Sequence, residues 1–110
     1  EGVEKLVKDN PDMTAVFASN YEMTMGAVIG INELGISIPD DISVIGFDNL
    51  SFARACRPKL TIVTQPTETI GAEVARIMLE RLENTEQHEN MKLKTKIVEG
   101  KSVKMMEPKR

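Results

Sequence analysis

The stretch that decides the fold is residues 14–34, which read TAVFASNYEMTMGAVIGINEL. Its first five residues form an apolar run of strand length without a charge, and such a run is typical of a strand buried on both faces of a parallel sheet. Asn20 is a good helix N-cap, and beyond it apolar residues recur at helical spacing as far as Leu34, where Gly35 offers a C-cap. The stretch therefore predicts a strand followed by a helix, which is how a βαβ unit begins.

The same alternation continues on both sides of this stretch. Upstream, apolar residues at helical spacing end in a turn at residues 10–12. Downstream, two further apolar runs predict strands, and the segment 50–59 between them is irregular, with one helical turn at most. The pattern predicts an α/β fold, a mostly parallel sheet flanked by helices. The predicted elements are strands at 14–18, 42–46 and 60–64, helices at 21–34 and from Thr67, which serves as the cap, to about Leu82, and two short β-like runs at 93–98 and 102–106.

Composition limits the class of protein. The chain has 110 residues, the common size of one domain, and no apolar segment approaches the roughly 20 residues that span a bilayer. Its 14 basic and 17 acidic residues give a formal net charge of −3, whereas an independent nucleic-acid binder normally carries a basic excess. The lysine-rich C-terminal tail is expected on a solvated strand face. The chain begins at Glu1 without a signal-peptide pattern, and we expect it to be part of a longer protein.

Residues that could carry catalysis are few. Cys56 is the only cysteine, so the chain cannot form an internal disulfide, and the spacings of a zinc site are absent. A catalytic Cys56–His88 pair is disfavoured because His88 lies in a polar run that predicts a loop. There is no glycine-rich phosphate loop, nucleophile elbow or dinucleotide fingerprint. The sequence therefore predicts a binding module without a metal or a cofactor, and not an enzyme.

Three polar side chains follow the three predicted strands, at the end where an open α/β sheet binds its ligands. Asn20 follows the first strand, Asp48 the second and Gln65 the third. A carboxylate accepts two hydrogen bonds, and each amide both donates and accepts, so the set suits a hydroxyl-rich ligand. The alternative for each residue is a purely local role, with Asn20 as a cap, Asp48 in a turn and Gln65 before a proline.

Six motifs occur along the chain at specific intervals: TAVFASN (14–20), MTMGA (23–27), LGISIPDDISVIGFDN (34–49), PKLT (58–61), QP (65–66) and IG (70–71). In this order and spacing they resemble the lactose-repressor (LacI/GalR) family of bacterial transcription regulators, over most of the chain from about Thr14 to Leu82. The resemblance implies a periplasmic-binding-protein-like (type I) effector domain. In that fold a small effector binds in the cleft between two α/β subdomains, and a separate headpiece reads the DNA.

The resemblance also implies how the chain divides. Residues 1–62 would belong to the C-terminal effector subdomain, residues 63–92 would cross the hinge and add a helix to the N-terminal subdomain, and residues 93–110 would form return strands and a tail. The DNA-binding headpiece would lie outside this chain. We therefore expect a cytoplasmic homodimer whose other partners are operator DNA and a small effector, a sugar or phosphosugar. The alternative is a periplasmic sugar-binding receptor of the same fold.

Individual residues are carried over from the family only where they match its pattern. The resemblance implies that Asn20, Asp48 and Gln65 line the effector cleft. Tyr21 departs from the pattern, in which Asp is usual, and either stacks on a ligand or covers the first helical turn. Arg76 matches the position at which catabolite control proteins contact a phosphorylated partner protein, although an exposed helical Arg also simply improves solubility. Four residues match the subunit interface, with local packing as the alternative for the last two: Met25, Ile29, Phe52 and Cys56.

Overall fold

The computed structural model describes residues 2–84 and 90–107 as alternating helices and strands. Contacts divide the chain into two compact units, one formed by Glu1–Thr64 with Ile97–Arg110 and the other by Gln65–Lys96. No helix of the described part is long and apolar enough to cross a membrane. The elements, in chain order, are α1 (Gly2–Asp9), β1 (Ala15–Phe17), α2 (Tyr21–Glu33), β2 (Ser43–Phe47), α3 (Leu50–Ala55), β3 (Thr61–Thr64), α4 (Thr67–Glu83) and β4 (Lys96–Val98).

The strands form one sheet in the order β1-β2-β3-β4. β1 pairs with β2 and β2 pairs with β3, both in parallel, which confirms the predicted α/β fold with a mostly parallel sheet. In the register of these pairs, Val16 lies opposite Val44 and Ile45 lies opposite Thr61. Because parallel strands run the same way, β1, β2 and β3 all finish at one end of the sheet, the carboxyl end. They begin at the other, the amino end.

The core lies between α2 and the sheet. Ile31 on α2 and the central-strand residues Val44 and Ile62 are completely buried, and burying an aliphatic side chain of this size contributes about 1.5–3 kcal/mol. α1 packs on the same helix at Gly30, where a β-carbon would overlap the side chain of Val3. α2 is therefore apolar on more than one side because it contacts both the sheet and α1.

The structure corrects two predictions about the helices. The segment predicted to be irregular contains α3, six residues long, because the Asn49 side chain caps it by accepting the Phe52 N–H. Thr67 is not the cap of α4. Pro66 occupies the N-cap position without a side-chain hydrogen bond, and its carbonyl accepts the first helical bond from the Ile70 N–H at 2.9 Å.

The C-terminal segment differs more from its prediction. Of the predicted strand 93–98 only β4 forms, and residues 102–106 form no strand. Instead, the Ser102 carbonyl accepts a hydrogen bond from the Val44 N–H at 2.9 Å, and the Ser102 hydroxyl accepts one from the Thr61 N–H at 2.8 Å. The regular strand ladder is interrupted there because a side chain takes the place of a backbone partner.

The second unit contains α4 and the described part of the segment that follows it. Ile70, Val74 and Ile77 line a shallow groove of about 290 Å³ together with Met91 and Leu93. None of the described residues of α4 is buried. The packing of this apolar stripe in a second subdomain stays a prediction.

Candidate functional site

At the end of β1, the candidate residue Asn20 is the N-cap of α2. Its side-chain oxygen accepts a hydrogen bond from the Met23 N–H at 2.8 Å, and its backbone is extended, with a φ of −153°. The predicted cap is therefore confirmed. The residue is exposed, and because only its oxygen serves the cap, its NH2 group can donate to a ligand.

At the end of β2 the chain turns through two consecutive left-handed residues, Asp48 with a φ of 67° and Asn49 with a φ of 62°. Asp and Asn tolerate this conformation better than other residues with a β-carbon, although left-handed backbone still costs roughly 1–2 kcal/mol per residue. The Asp48 N–H donates to the Val63 carbonyl at 2.9 Å, which ties the turn to β3. The half-buried Asp48 is thereby fixed at the carboxyl end of the sheet.

Thr24 joins these two strand ends and was not among the predicted site residues. It is completely buried, and its hydroxyl donates to the Asn20 carbonyl at 2.6 Å and accepts from the Phe47 N–H at 3.1 Å. A β-carbon on Gly46 would overlap the Thr24 methyl group. The signal available in the sequence is a threonine in the first turn of a helix, where the hydroxyl can bond back to the carbonyl four residues earlier.

Gln65 is the first residue of the second unit and directly follows β3. It is exposed, and its carbonyl accepts a hydrogen bond from the Thr67 N–H at 2.9 Å. The structure thus brings Asn20 and Asp48 to the same end of the sheet within the first unit. A contribution of Gln65 to the same site stays a prediction.

Tyr21 packs against residues of the protein itself. Its ring meets the Phe52 ring edge-on, with 5.5 Å between centroids and 72° between planes. Its hydroxyl donates to the Met25 sulfur at 3.8 Å. These contacts belong to the alternative in which Tyr21 covers the first turn of α2, and contact with a ligand stays a prediction.

The residues predicted to form a subunit interface lie next to this aromatic pair. Met25 and Ile29 follow Tyr21 at intervals of four residues and so share one side of α2. Ile29 remains 49% exposed, whereas Met25 is half-buried. Phe52 and Cys56 are half-buried and pack against the core, as the alternative of local packing requires. We call these four residues together with Tyr21 the α2–α3 patch, and the use of the four as a subunit interface stays a prediction.

Cys56 is a free thiol at the C-cap of α3. Burial raises the pKa of the Cys56 thiol, and the positive charge of Arg57 offsets part of this rise. His88, the partner in the disfavoured catalytic pair, lies outside the described residues. Within residues 2–84 and 90–107, no group of three or more His, Cys, Asp or Glu side chains could hold a metal ion.

Arg76, the expected docking residue for a phosphorylated partner, is held by two acidic neighbours on α4. Its guanidinium lies 2.6 Å from the Glu73 carboxylate and 3.0 Å from the Glu80 carboxylate. Its side chain is 39% exposed, and ion pairs this exposed contribute at most about 1 kcal/mol each. A phosphate could displace them at small cost, so docking at Arg76 stays a prediction.

Comparison with known sequences gives the class to which this fold and site belong. Residues 1–103 match the family model described as the periplasmic binding protein-like domain. The chain is 36% identical over 107 residues to the HTH-type transcriptional repressor PurR of Histophilus somni, covering 96% of this chain and 32% of that protein. It is 40% identical over 78 residues to catabolite control protein A of Priestia megaterium, covering 71% of this chain and 24% of that protein.

Solved structures lead to the same class. The transcriptional regulator CelR in complex with cellobiose superimposes with a TM-score of 0.80 at 32% identity, over 91% of this chain and 31% of that one. A LacI family transcriptional regulator from Enterococcus faecalis with bound ribose gives a TM-score of 0.80 at 31% identity, over 93% of this chain and 39% of that one.

The chain belongs to the periplasmic binding protein-like domain family, in the branch of effector domains of LacI/GalR-family transcriptional regulators. It spans about a quarter of the length of one of these curated relatives and about a third of the other, at 24% and 32%. Both relatives are regulators of transcription and not enzymes.

Proposed function

We propose that this chain is the effector-sensing and dimerising part of a bacterial transcription regulator, and that a sugar-like effector binds at the carboxyl end of its sheet. The observation that carries the proposal is the pairing of Asn20 and Asp48 at the ends of two adjacent parallel strands, where neither residue is buried. The Asp48 carboxylate can accept two sugar hydroxyls, and the Asn20 NH2 group can donate to a third oxygen. The cellobiose and ribose bound in the two regulators above support this ligand class.

In this proposal the rest of the site comes from the second unit and from parts of the protein outside this chain. Gln65 would donate and accept at the start of a second subdomain, in which α4 packs. An effector that prefers one arrangement of the two subdomains would change the population of that arrangement, and with it the affinity of the headpiece for operator DNA. We place this activity in the cytoplasm, where operator DNA is found.

Replacing Asp48 tests the site. Asp48→Asn removes the charge while keeping a residue that tolerates the left-handed backbone, so it disturbs the fold less than alanine. In the full-length protein containing this chain, we expect calorimetric titration with D-ribose and cellobiose to show affinity lowered about 10- to 100-fold, because hydrogen bonds to a charged group contribute about 1.5–3 kcal/mol.

The matched control is Asp12→Asn, an exposed aspartate in the turn that precedes β1 at the amino end of the sheet. The control should bind both sugars as the parent does. If Asp48→Asn also binds them unchanged, the proposed site is wrong.

We further propose that the α2–α3 patch joins two copies of the protein. The half-exposed Ile29 supports this, because it continues the stripe of Tyr21 and Met25 away from the core. Ile29→Asp or Met25→Asp would bury a charge in such an interface, and sedimentation should then show a dimer dissociation constant raised by about 100-fold or more. Met105→Asp, at a residue 92% exposed in the tail, is the control that should leave the dimer intact. A dimer equally stable in all three variants would rule out this patch.

A further inference from the structure

We propose that Thr24 is a positioning residue of the effector site, which fixes Asn20 and Asp48 relative to each other. The inference rests on the proposed function, because it concerns the same two ligand-binding residues. Thr24 itself is completely buried and does not reach a ligand. It acts through the backbone of both strand ends.

The hydroxyl of Thr24 makes both of its bonds to these strand ends. It donates to the carbonyl of Asn20 at 2.6 Å, and it accepts the N–H of Phe47, the residue directly before Asp48, at 3.1 Å. A buried hydroxyl with both of its functions used cannot shift toward one partner without breaking the bond to the other. The Thr24 hydroxyl therefore adds a side-chain link between the Asn20 carbonyl and the end of β2. This link lies beyond the last backbone bond between the two strands, from the Ala18 N–H to the Ile45 carbonyl at 3.0 Å.

The methyl group of Thr24 adds a steric constraint. It lies against Gly46, and a β-carbon at that glycine would overlap it, so the end of β2 can approach α2 this closely only with glycine at position 46. The hydroxyl bonds hold the end of β2 against α2, and the contact between the Thr24 methyl group and Gly46 limits how closely β2 and α2 approach. The left-handed turn at Asp48 starts directly from this fixed point.

A further hydrogen bond holds the turn on the side of β3. The Asp48 N–H donates to the Val63 carbonyl at 2.9 Å, so the β2 end is anchored to β3 as well as to α2. Without the Thr24 hydroxyl, this bond to β3 and the pairing of β1 with β2 would still hold the strands, but the direct link between the Asn20 carbonyl and the Phe47 N–H would be lost. Loss of Thr24 should therefore affect the pair of ligand-binding residues more than the strand pairing.

The test compares three variants in the full-length protein that contains this chain. Thr24→Val keeps the shape but removes the hydroxyl, and Thr24→Ser keeps the hydroxyl but removes the methyl group. Ile31→Val is the matched control, because it also trims a fully buried residue of α2 but lies seven residues beyond Thr24, near the other end of the helix. Amide hydrogen exchange resolved at Phe47 and calorimetric titration with D-ribose and cellobiose are the two measurements.

We expect Thr24→Val to raise the exchange rate at Phe47 about tenfold and to weaken sugar binding about tenfold, with Thr24→Ser restoring both to within about threefold of the parent. Ile31→Val should leave both at the parental values after correction for its global stability. Unchanged exchange at Phe47 in Thr24→Val would overturn the inference whether or not either sugar binds. Sugar binding that depends on Asp48 but not on Thr24 would overturn it while leaving the proposed function intact. Binding independent of Asp48 would instead overturn the proposed function.

Discussion

At the amino end of the sheet, Ser43, Thr61 and Ser102 are at most 9% exposed, whereas at the carboxyl end Asn20 is exposed and Asp48 is half-buried. The buried hydroxyl groups at the amino end form hydrogen bonds with the backbone. The Ser102 hydroxyl accepts the Thr61 N–H at 2.8 Å and donates to the Val44 carbonyl at 2.5 Å.

Backbone N–H groups of the C-terminal tail donate to the other two hydroxyl groups. Ser43 accepts the Lys104 N–H at 2.9 Å, and Thr61 accepts the Gly100 N–H at 3.0 Å. Across the described residues, no buried side-chain nitrogen or oxygen lacks a hydrogen-bond partner. The two ends therefore differ in solvent exposure: at the amino end the polar side chains are buried and bonded within the fold, whereas at the carboxyl end Asn20 and Asp48 remain at least partly exposed.

The largest effect on stability should come from removing the buried Ser102 hydroxyl at the amino end of the sheet. Ser102→Ala leaves the buried Thr61 N–H without its acceptor, so the free energy of unfolding should fall by about 2 kcal/mol in urea denaturation followed by circular dichroism. Ser51→Ala, at an exposed serine, should have no measurable effect. Sugar affinity should stay unchanged in both variants. A Ser102→Ala variant that weakens sugar binding as much as Asp48→Asn does would show that the two ends are not separate.

Asn49 lies at the carboxyl end of the sheet, but its side chain forms a hydrogen bond within the fold, as the cap of α3. Asn49→Ala loses the cap of α3 and places alanine at a φ of 62°, and should lower the free energy of unfolding by about 1.5 kcal/mol. Asn49→Gly loses the same cap but fits the left-handed backbone, so it should stay within about 0.5 kcal/mol of the parent. Equal losses in both variants, measured by the same denaturation, would contradict the role of the left-handed backbone.

Asn20 allows the cap and the ligand role to be separated. Asn20→Ser keeps an oxygen that can accept the Met23 N–H but removes the NH2 group, so stability should be retained while sugar affinity falls about tenfold. Asn20→Ala should lower both, with about 1 kcal/mol lost from the free energy of unfolding. If Asn20→Ser binds sugar as tightly as the parent, the residue is a cap alone.

The smallest effect concerns Cys56, at the C-cap of α3. Because burial raises the pKa of the Cys56 thiol, less of the reactive thiolate is present at a given pH. Iodoacetamide should therefore alkylate Cys56 at pH 8 more slowly than it alkylates the thiol of free glutathione. The rate should keep rising at a pH where that of glutathione has levelled off. It should also fall as the protein concentration is raised through the range of dimerisation. A rate equal to that of glutathione would contradict the environment described for this residue.

The parallel sheet could be predicted from the sequence, because residues 14–18 and 42–46 are apolar runs that precede or follow a helix. The expectation that the first strand is buried on both faces is wrong, because β1 lies at the edge of the sheet and leaves Ala15 and Phe17 exposed. The C-terminal segment could not be predicted. Its alternation around Ser102 resembles a strand, but the bonding there passes through serine side chains, and such tertiary bonds leave no periodic signal.

The candidate site divides in a similar way. Asn20 and Asp48 could be found because the position of a residue directly after a strand is visible in the sequence. Thr24 could not be assigned from sequence alone, since its role depends on the approach of Gly46 from 22 positions further along the chain. The packing of Tyr21 on Phe52 is a tertiary contact of the same kind.

A crystal structure of the full-length protein with D-ribose or cellobiose would show directly whether the sugar binds at the carboxyl end of the sheet. We predict a sugar hydroxyl within about 3 Å of the Asp48 carboxylate and a sugar oxygen at the same distance from the Asn20 NH2 group. A sugar bound elsewhere, without contact to either of these side chains, would contradict this prediction.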